Sequence, residues 1–78
     1  MNNENLKYLL DSIQTSAFLL SNELNKDVID ADLLKTFSDI LSERVQIYTK
    51  LNSGESLSRY ETVVFNGIVS AMKGTGAF

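Results

Sequence analysis

The chain has 78 residues, of which seven are basic and ten acidic, and it contains neither cysteine nor histidine. A chain of this length has room for one domain with a modest core, so its stability is marginal unless long helices or self-association add to it. The missing residue types exclude disulfides, thiolate–metal sites, and the usual zinc ligand and general base. We therefore expect no metal and no cofactor, and the net charge of −3 argues against nucleic-acid binding.

The N-terminal residues and the apolar runs bear on location. Residues 1–4 lack the basic segment and the long apolar stretch of a secretory signal. The longest apolar runs, such as Ala17 to Leu20, are far too short to span a bilayer. We expect a cytoplasmic protein with no membrane segment, and its small size is typical of prokaryotic and phage proteins.

An apolar repeat with alternating spacings of four and three predicts a first helix from about residue 3 to about residue 24. A period of 3.5 residues favours antiparallel, coiled-coil-like packing against another helix. Asn2 or Asn3 can cap the start, and Glu4 suits the first turn because its charge complements the helix dipole. The repeat consists of Leu6, Leu10, Ile13, Ala17, Leu20 and Leu24.

A second helix is predicted from about residue 31 to about residue 51, with Asp30 as its N-cap and Gly54 in a left-handed conformation after its end. Its two apolar flanks predict that this helix is the central one, packing against two neighbours. The first flank holds Leu33, Phe37, Ile40, Ile47 and Leu51, and the second holds Leu34, Leu41, Val45 and Tyr48.

Ser58 and Glu61 have the spacing of a capping box, which predicts a third helix from about residue 59 to about residue 73. Residues 74–78 contain two glycines, and we expect them to form a flexible tail. The predicted fold is therefore all-α, a long antiparallel helical hairpin plus a shorter third helix in a three-helix bundle. Two long amphipathic helices expose more apolar surface than a short third helix covers, so we expect oligomerisation or a partner to complete the bundle.

Several large side chains lie outside the apolar repeats. On the first helix, Tyr8, Phe18 and Leu19 fall off the 3.5-residue repeat, among polar neighbours. An exposed Phe–Leu pair indicates an interaction surface. The alternative is that the third helix, or a copy of the same helix, covers the pair. Tyr48 widens the apolar stripe of the second helix, and we assign all four residues to a partner or oligomer interface.

Arg44 and Gly67 also depart from the pattern and are assigned to the same interface. Arg44 takes a position that strict alternation gives to the core, where it would need an acid such as Glu61 or Asp11. The favoured alternative is that it lies at the margin, with its head in water. Gly67 stands in mid-helix and predicts a close contact with another helix. The small residues on its face are Ser70, Ala71 and Gly74.

The composition predicts a protein that is not an enzyme and has no catalytic residue, because the common nucleophile–base pairs need histidine or cysteine. Asp27, Asp30 and Asp32 lie close together, but they lack the central glycine of a calcium loop, and helix capping accounts for Asp30 and Asp32.

The favoured function is a non-enzymatic protein–protein interaction module, a small prokaryotic or phage regulator or inhibitor that occludes a partner protein. Acidic groups around an apolar helix face would steer a basic partner. One alternative is a structural or assembly homo-oligomer, most simply a dimer. The other is a helical DNA-binding transcriptional regulator, which is disfavoured because the third helix has only Lys73 as a basic group from Tyr60 onward.

Overall fold

The computed structural model describes residues 3–76, with side chains from Glu4 to Gly74. The helices in chain order are α1 (Asn3–Leu24), α2 (Ala31–Asn52) and α3 (Arg59–Gly76). Because an α-helix rises 1.5 Å per residue, α1 and α2 are each about 33 Å long and α3 is about 27 Å long. Residues 3–76 contain no strand. The predicted all-α fold, a helical hairpin with a shorter third helix, is confirmed.

The N-caps predicted for α2 and α3 are present, whereas the cap predicted for α1 at Asn2 or Asn3 is not tested, because residues 1–2 lie outside the described part. The carboxylate of Asp30 accepts hydrogen bonds from the backbone N–H groups of Asp32 at 3.0 Å and Leu33 at 3.1 Å. At the start of α3, the Ser58 N–H donates to Glu61 Oε1 at 2.8 Å, and the Glu61 N–H donates to Ser58 Oγ at 3.1 Å. These bonds satisfy backbone donors that have no partner inside the helix, which is why α2 and α3 begin where they do.

The two glycine-containing helix ends behave differently. Gly54 follows α2 with a φ of +80°, the left-handed conformation predicted for it. At the other end, α3 continues to Gly76, so residues 74–76 are helical and are not the tail that we expected from residue 74 onward. A glycine costs a helix only about 1 kcal/mol relative to alanine, and adding a residue to an existing helix is far easier than starting one. Residues 77–78 lie outside the described part.

The apolar core lies at one end of the hairpin, where α1 begins, α2 ends and α3 packs. Its buried hydrophobic side chains are Leu9, Ile47, Phe65 and Ile68. The partly buried residues around them are Ile13, Tyr48, Leu51, Leu57, Val64, Val69 and Met72. We call this end, comprising residues 4–16 and 42–52 together with α3, the root. The opposite end of the hairpin, residues 17–41, is called the tip.

The central helix is α1 and not α2, which corrects the prediction from the apolar flanks. The backbone of α1 packs against both α2 and α3. Side chains connect α2 to α3, and Lys50 Nζ lies 2.7 Å from Glu61 Oε1. The second apolar flank of α2 was interpreted as the contact site of a second neighbouring helix. An apolar stripe shows only that one side of a helix is apolar, and it does not show which element covers that side.

The three helices form an open bundle. The radius of gyration is 13.7 Å, whereas a compact chain of this length has about 11.5 Å. The principal extents are 42, 31 and 17 Å. Three parallel helices spaced 8–10 Å apart would measure about 15 Å in both shorter directions. The 31 Å extent therefore means that α3 diverges from the hairpin and leaves the tip uncovered.

Candidate interaction surface

No hydrophobic side chain of the tip is buried, although the tip is rich in them. Phe18 is 63% exposed and Val28 is 85% exposed. We call the exposed large hydrophobic residues of the tip that do not belong to the apolar repeat of α1 the tip surface, and its members are Phe18, Leu19, Val28, Ile29 and Leu33. It lies at the end of the hairpin that contains the turn. The third helix, α3, follows the root in the chain and packs against the root, at the opposite end.

A buried carboxylate holds the tip in shape. Glu23 is 1% exposed and accepts hydrogen bonds from Lys26 Nζ at 2.8 Å and from the Asp30 backbone N–H at 2.9 Å. The hydrogen bond from Lys26 and, to a smaller extent, the one from the Asp30 N–H lower the pKa of Glu23 below its ordinary value. Since Asp30 itself caps α2, one carboxylate ties the end of α1 to the start of α2. Sequence reasoning gave Glu23 no role, and its only local signal was the lysine three residues later.

Of the predicted interface residues, Phe18 and Leu19 belong to the tip surface, and α3 does not bury either of them. Tyr8 and Tyr48 lie at the root. Tyr8 is half-buried, and its hydroxyl donates to Glu4 Oε1 at 2.9 Å, which raises the pKa of the tyrosine. Tyr48 is half-buried and packs against the core. The structure therefore does not bring the predicted set together in one patch.

Arg44 and Gly67 line a groove of about 260 Å³ between α3 and the hairpin. Arg44 is half-buried, and its Nη1 donates to Ser16 Oγ at 2.8 Å. Its Nε is buried and has no hydrogen-bond partner within the described residues. The acid considered for it, Glu61, pairs with Lys50 instead.

Gly67 makes no close helix contact within the chain, which corrects that part of the prediction. A Cβ atom built on it would meet nothing within 4 Å. The divergence of α3 from the hairpin explains the open space. A contact of Gly67 with another molecule stays a prediction.

A polar hollow of about 420 Å³ lies between α2 and α3. Its acidic groups are engaged. The Tyr60 hydroxyl donates to Glu43 Oε2 at 2.8 Å, and that bond raises the pKa of Tyr60. Lys50 donates to Glu61, and this bond, together with the Ser58 N–H, lowers the pKa of Glu61. No cluster of three or more potential metal-binding residues occurs in the described part of the chain.

The side of α1 that carries the apolar repeat is not the side that is buried. The buried residues of α1 are Leu9, Ser12, Ser16 and Glu23. At 100° per residue, the centre of the repeat lies about 90° away from the centre of this buried line. Leu10 and Leu24 of the repeat are 44% and 53% exposed, respectively. Three of these four residues are polar. Ser16 accepts a hydrogen bond from Arg44, and Glu23 accepts one from the connector between α1 and α2, residues 25–30.

A second apolar stripe runs beside this repeat on α2. Its members are Leu34, Leu41, Val45 and Tyr48, all of them half-buried or exposed. They lie about 160° around α2 from the residues that bond to α3, which are Glu43, Gln46 and Lys50. On α1, the repeat lies about 120° from Ser12, which lines the α3 groove. The two stripes therefore share the side of the hairpin opposite α3, and we call this side the hairpin face.

Comparisons of the chain with protein-family models, with curated proteins and with solved structures give no match. Within residues 3–76, none of the helices is long and apolar enough to cross a membrane. The function must therefore be inferred from the surface itself.

Proposed function

We propose that this protein is a non-enzymatic protein–protein interaction module, a small regulator or inhibitor whose tip surface occludes the working surface of a partner protein. One observation carries the proposal: the tip presents Phe18, Val28 and their apolar neighbours to solvent without burying any hydrophobic side chain. Exposed large hydrophobic side chains mark interaction surfaces, and aromatic side chains such as that of Phe18 are enriched at the centres of protein interfaces.

The tip surface is held in place before binding. Glu23 bonds to Lys26 and to the backbone of Asp30, and Asp30 caps α2. The connector therefore has little conformational freedom to lose when it meets a partner. A surface ordered in advance binds more tightly than a flexible one, because less entropy is lost on association.

The charges around the tip surface favour a basic partner. Between residues 22 and 33 the chain has four acidic side chains and one basic side chain, Lys26, which is already paired with Glu23. Lys35, further along α2, is paired with Asp39. The local negative charge would speed association with a positively charged surface, and added salt would screen this effect. The proposal includes a cytoplasmic location and a prokaryotic or phage origin, and the absence of cysteine fits a reducing compartment.

Affinity capture with matched variants tests the proposal. Val28→Ser removes an apolar side chain from the tip surface, and Val63→Ser removes the same side chain from α3, where it is 65% exposed. Immobilised wild-type protein and the Val63→Ser variant should retain one dominant protein from a bacterial lysate. Val28→Ser and Phe18→Ser should lose it, and retention should weaken as salt is raised.

Two outcomes would overturn the proposal. In the first, the tip variants retain the captured protein as well as Val63→Ser does. In the second, the wild-type protein retains nothing beyond what an unrelated helical protein of similar charge retains.

A further inference from the structure

The hairpin face is large enough for a stable interface. It is about 33 Å long and about 20 Å wide, because it spans two helices that are each about 10 Å across. Its area is therefore about 650 Å², close to the roughly 800 Å² that each partner contributes to an interface of standard size.

The total exposed area of the chain is larger than that of a compact monomer of the same mass. The chain exposes 5488 Å², whereas a compact monomer of 8.7 kDa exposes about 4,700 Å². The excess of roughly 750 Å² is close to the area of one side of a standard interface. The exposed tip contributes to this excess, and the hairpin face has an area of about the same size as the excess.

The hairpin face carries no charge. Its α1 residues are Leu6, Leu10, Ile13, Gln14, Ala17, Leu20, Ser21 and Leu24, and its α2 residues are Leu34, Phe37, Ser38, Leu41, Val45, Tyr48 and Asn52. Two copies of a chain with a net charge of −3 repel each other, and meeting through an uncharged face brings no like charges into close contact. A different partner is commonly selected by complementary charges, which this face lacks. The charge pattern therefore favours a second copy.

The spacing of the apolar residues on this face is that of helix-to-helix seams. On α1 the spacings alternate between four and three, and on α2 the residues Leu41, Val45 and Tyr48 continue the same alternation. A seam of this period fits between the side chains of a facing helix. Within residues 3–76 the face has no such helix, since α3 packs on the other side of the hairpin. The hairpin of a second copy would supply two facing helices.

We propose that a second copy of this chain covers the hairpin face, giving a two-fold dimer in which two hairpins stack as a four-helix arrangement. The same face serves both copies, as two-fold symmetry requires. The dimer leaves the tip surface and α3 exposed on each copy. It does not depend on the proposed function, because the two use different surfaces.

Sedimentation equilibrium of the pure, full-length protein tests the dimer. The mass should rise from 8.7 kDa to twice that value across micromolar concentrations. Val45→Lys places an ammonium in the hairpin face, where Val45 is 44% exposed, and Val63→Lys places one on α3. We expect Val45→Lys to weaken dimerisation at least about tenfold, because a charge at an apolar interface must be desolvated. The matched Val63→Lys variant should leave the dimer affinity unchanged, and Leu10→Lys should weaken it as Val45→Lys does.

Circular dichroism of each variant separates loss of dimer from loss of fold. A helical but monomeric Val45→Lys or Leu10→Lys variant supports the dimer. A wild-type protein that stays monomeric across the whole range overturns it, as does a dimer that Val63→Lys disrupts as strongly as Val45→Lys. Partner capture by Val45→Lys distinguishes the two proposals, since a monomeric variant that still captures through its tip leaves the proposed function intact.

Discussion

The root and the tip of the hairpin are built from the same two helices, yet only the root buries hydrophobic side chains. At the root, Leu9 and Ile47 are fully buried because α3 brings Phe65 and Ile68 against them. At the tip, residues of the same kind remain exposed because α3 diverges before reaching them. Amphipathic periodicity is similar at both ends. Burial therefore depends on where the third helix lies and not on the sequence of the hairpin alone.

The two ends also differ in what holds them together. The root has an apolar core with the Lys50–Glu61 pair beside it. The tip has Glu23 as its one buried side chain, fixed by the Lys26 ammonium and the Asp30 N–H. Hydrogen bonding can order a connector without covering apolar surface. The tip is thus arranged to present hydrophobic groups, whereas the root is arranged to bury them.

The largest contrast is expected from one substitution made at both ends. Ile47→Ala should lower the free energy of unfolding by about 2–5 kcal/mol, because it leaves a cavity in the root core. Ile29→Ala, at a site that is 45% exposed at the tip, should change it by less than about 0.5 kcal/mol. Urea unfolding measures both variants. Equal losses would contradict the division into a packed root and an unpacked tip.

A smaller effect is expected at the cap that begins α2. Asp30→Ala should cost about 1 kcal/mol, because the N–H groups of Asp32 and Leu33 lose their acceptor. Amide exchange should accelerate in the first turn of α2 and remain unchanged in the root. Asp30→Asn keeps a side-chain acceptor and serves as the control. If the asparagine variant were as destabilised as the alanine variant, the loss would not come from capping.

Two glycines should respond to alanine with opposite signs. Gly67→Ala should stabilise the protein by about 0.5–1 kcal/mol, since alanine is the better helix former and its Cβ meets nothing within 4 Å. Gly54→Ala should destabilise it by about 1–2 kcal/mol, because φ is +80° there. Thermal unfolding compares the two. Destabilisation by Gly67→Ala would show that Gly67 lies in a tight contact after all.

The buried carboxylates should make both ends sensitive to acid. The pKa values of Glu23 and Glu61 lie below the ordinary 4.5 in the folded chain. Each group therefore contributes stability that is complete above pH 4.5 and is lost as the pH falls through its lowered pKa. Glu61→Gln should flatten the acid dependence of global unfolding, and Glu23→Gln should flatten that of amide exchange in residues 25–30. A wild-type chain as stable at about pH 3 as at neutral pH would contradict this.

Local signals predicted the helices well. The positions of Asp30, Ser58 and Gly54 were enough to place the caps, because capping depends on a few neighbouring residues. The end of α3 was predicted three residues too early, since Gly74 was treated as a helix terminator. A glycine lowers helix stability without preventing the helix from continuing.

The sequence did not reveal which side of α1 is buried. The apolar repeat favoured the line through Leu10 and Leu24, yet the chain buries Ser16 and Glu23 instead. The partner of Ser16 is Arg44, 28 residues away in the chain. No periodicity of a single helix contains that information. The exposure of Phe18 and Leu19 followed from their positions off the repeat, whereas the close contact at Gly67 depended on where α3 would lie.

Heteronuclear NMR of the pure protein across a dilution series would show directly whether the hairpin face is an interface between copies. Backbone amide signals of Leu10, Ala17 and Val45 should shift with concentration, while those of Val28 at the tip and Val63 on α3 stay in place. Signals that do not move at any concentration, in a protein that sediments as a monomer, would contradict the dimer. Shifts centred on α3 would place the interface on the wrong side of the molecule.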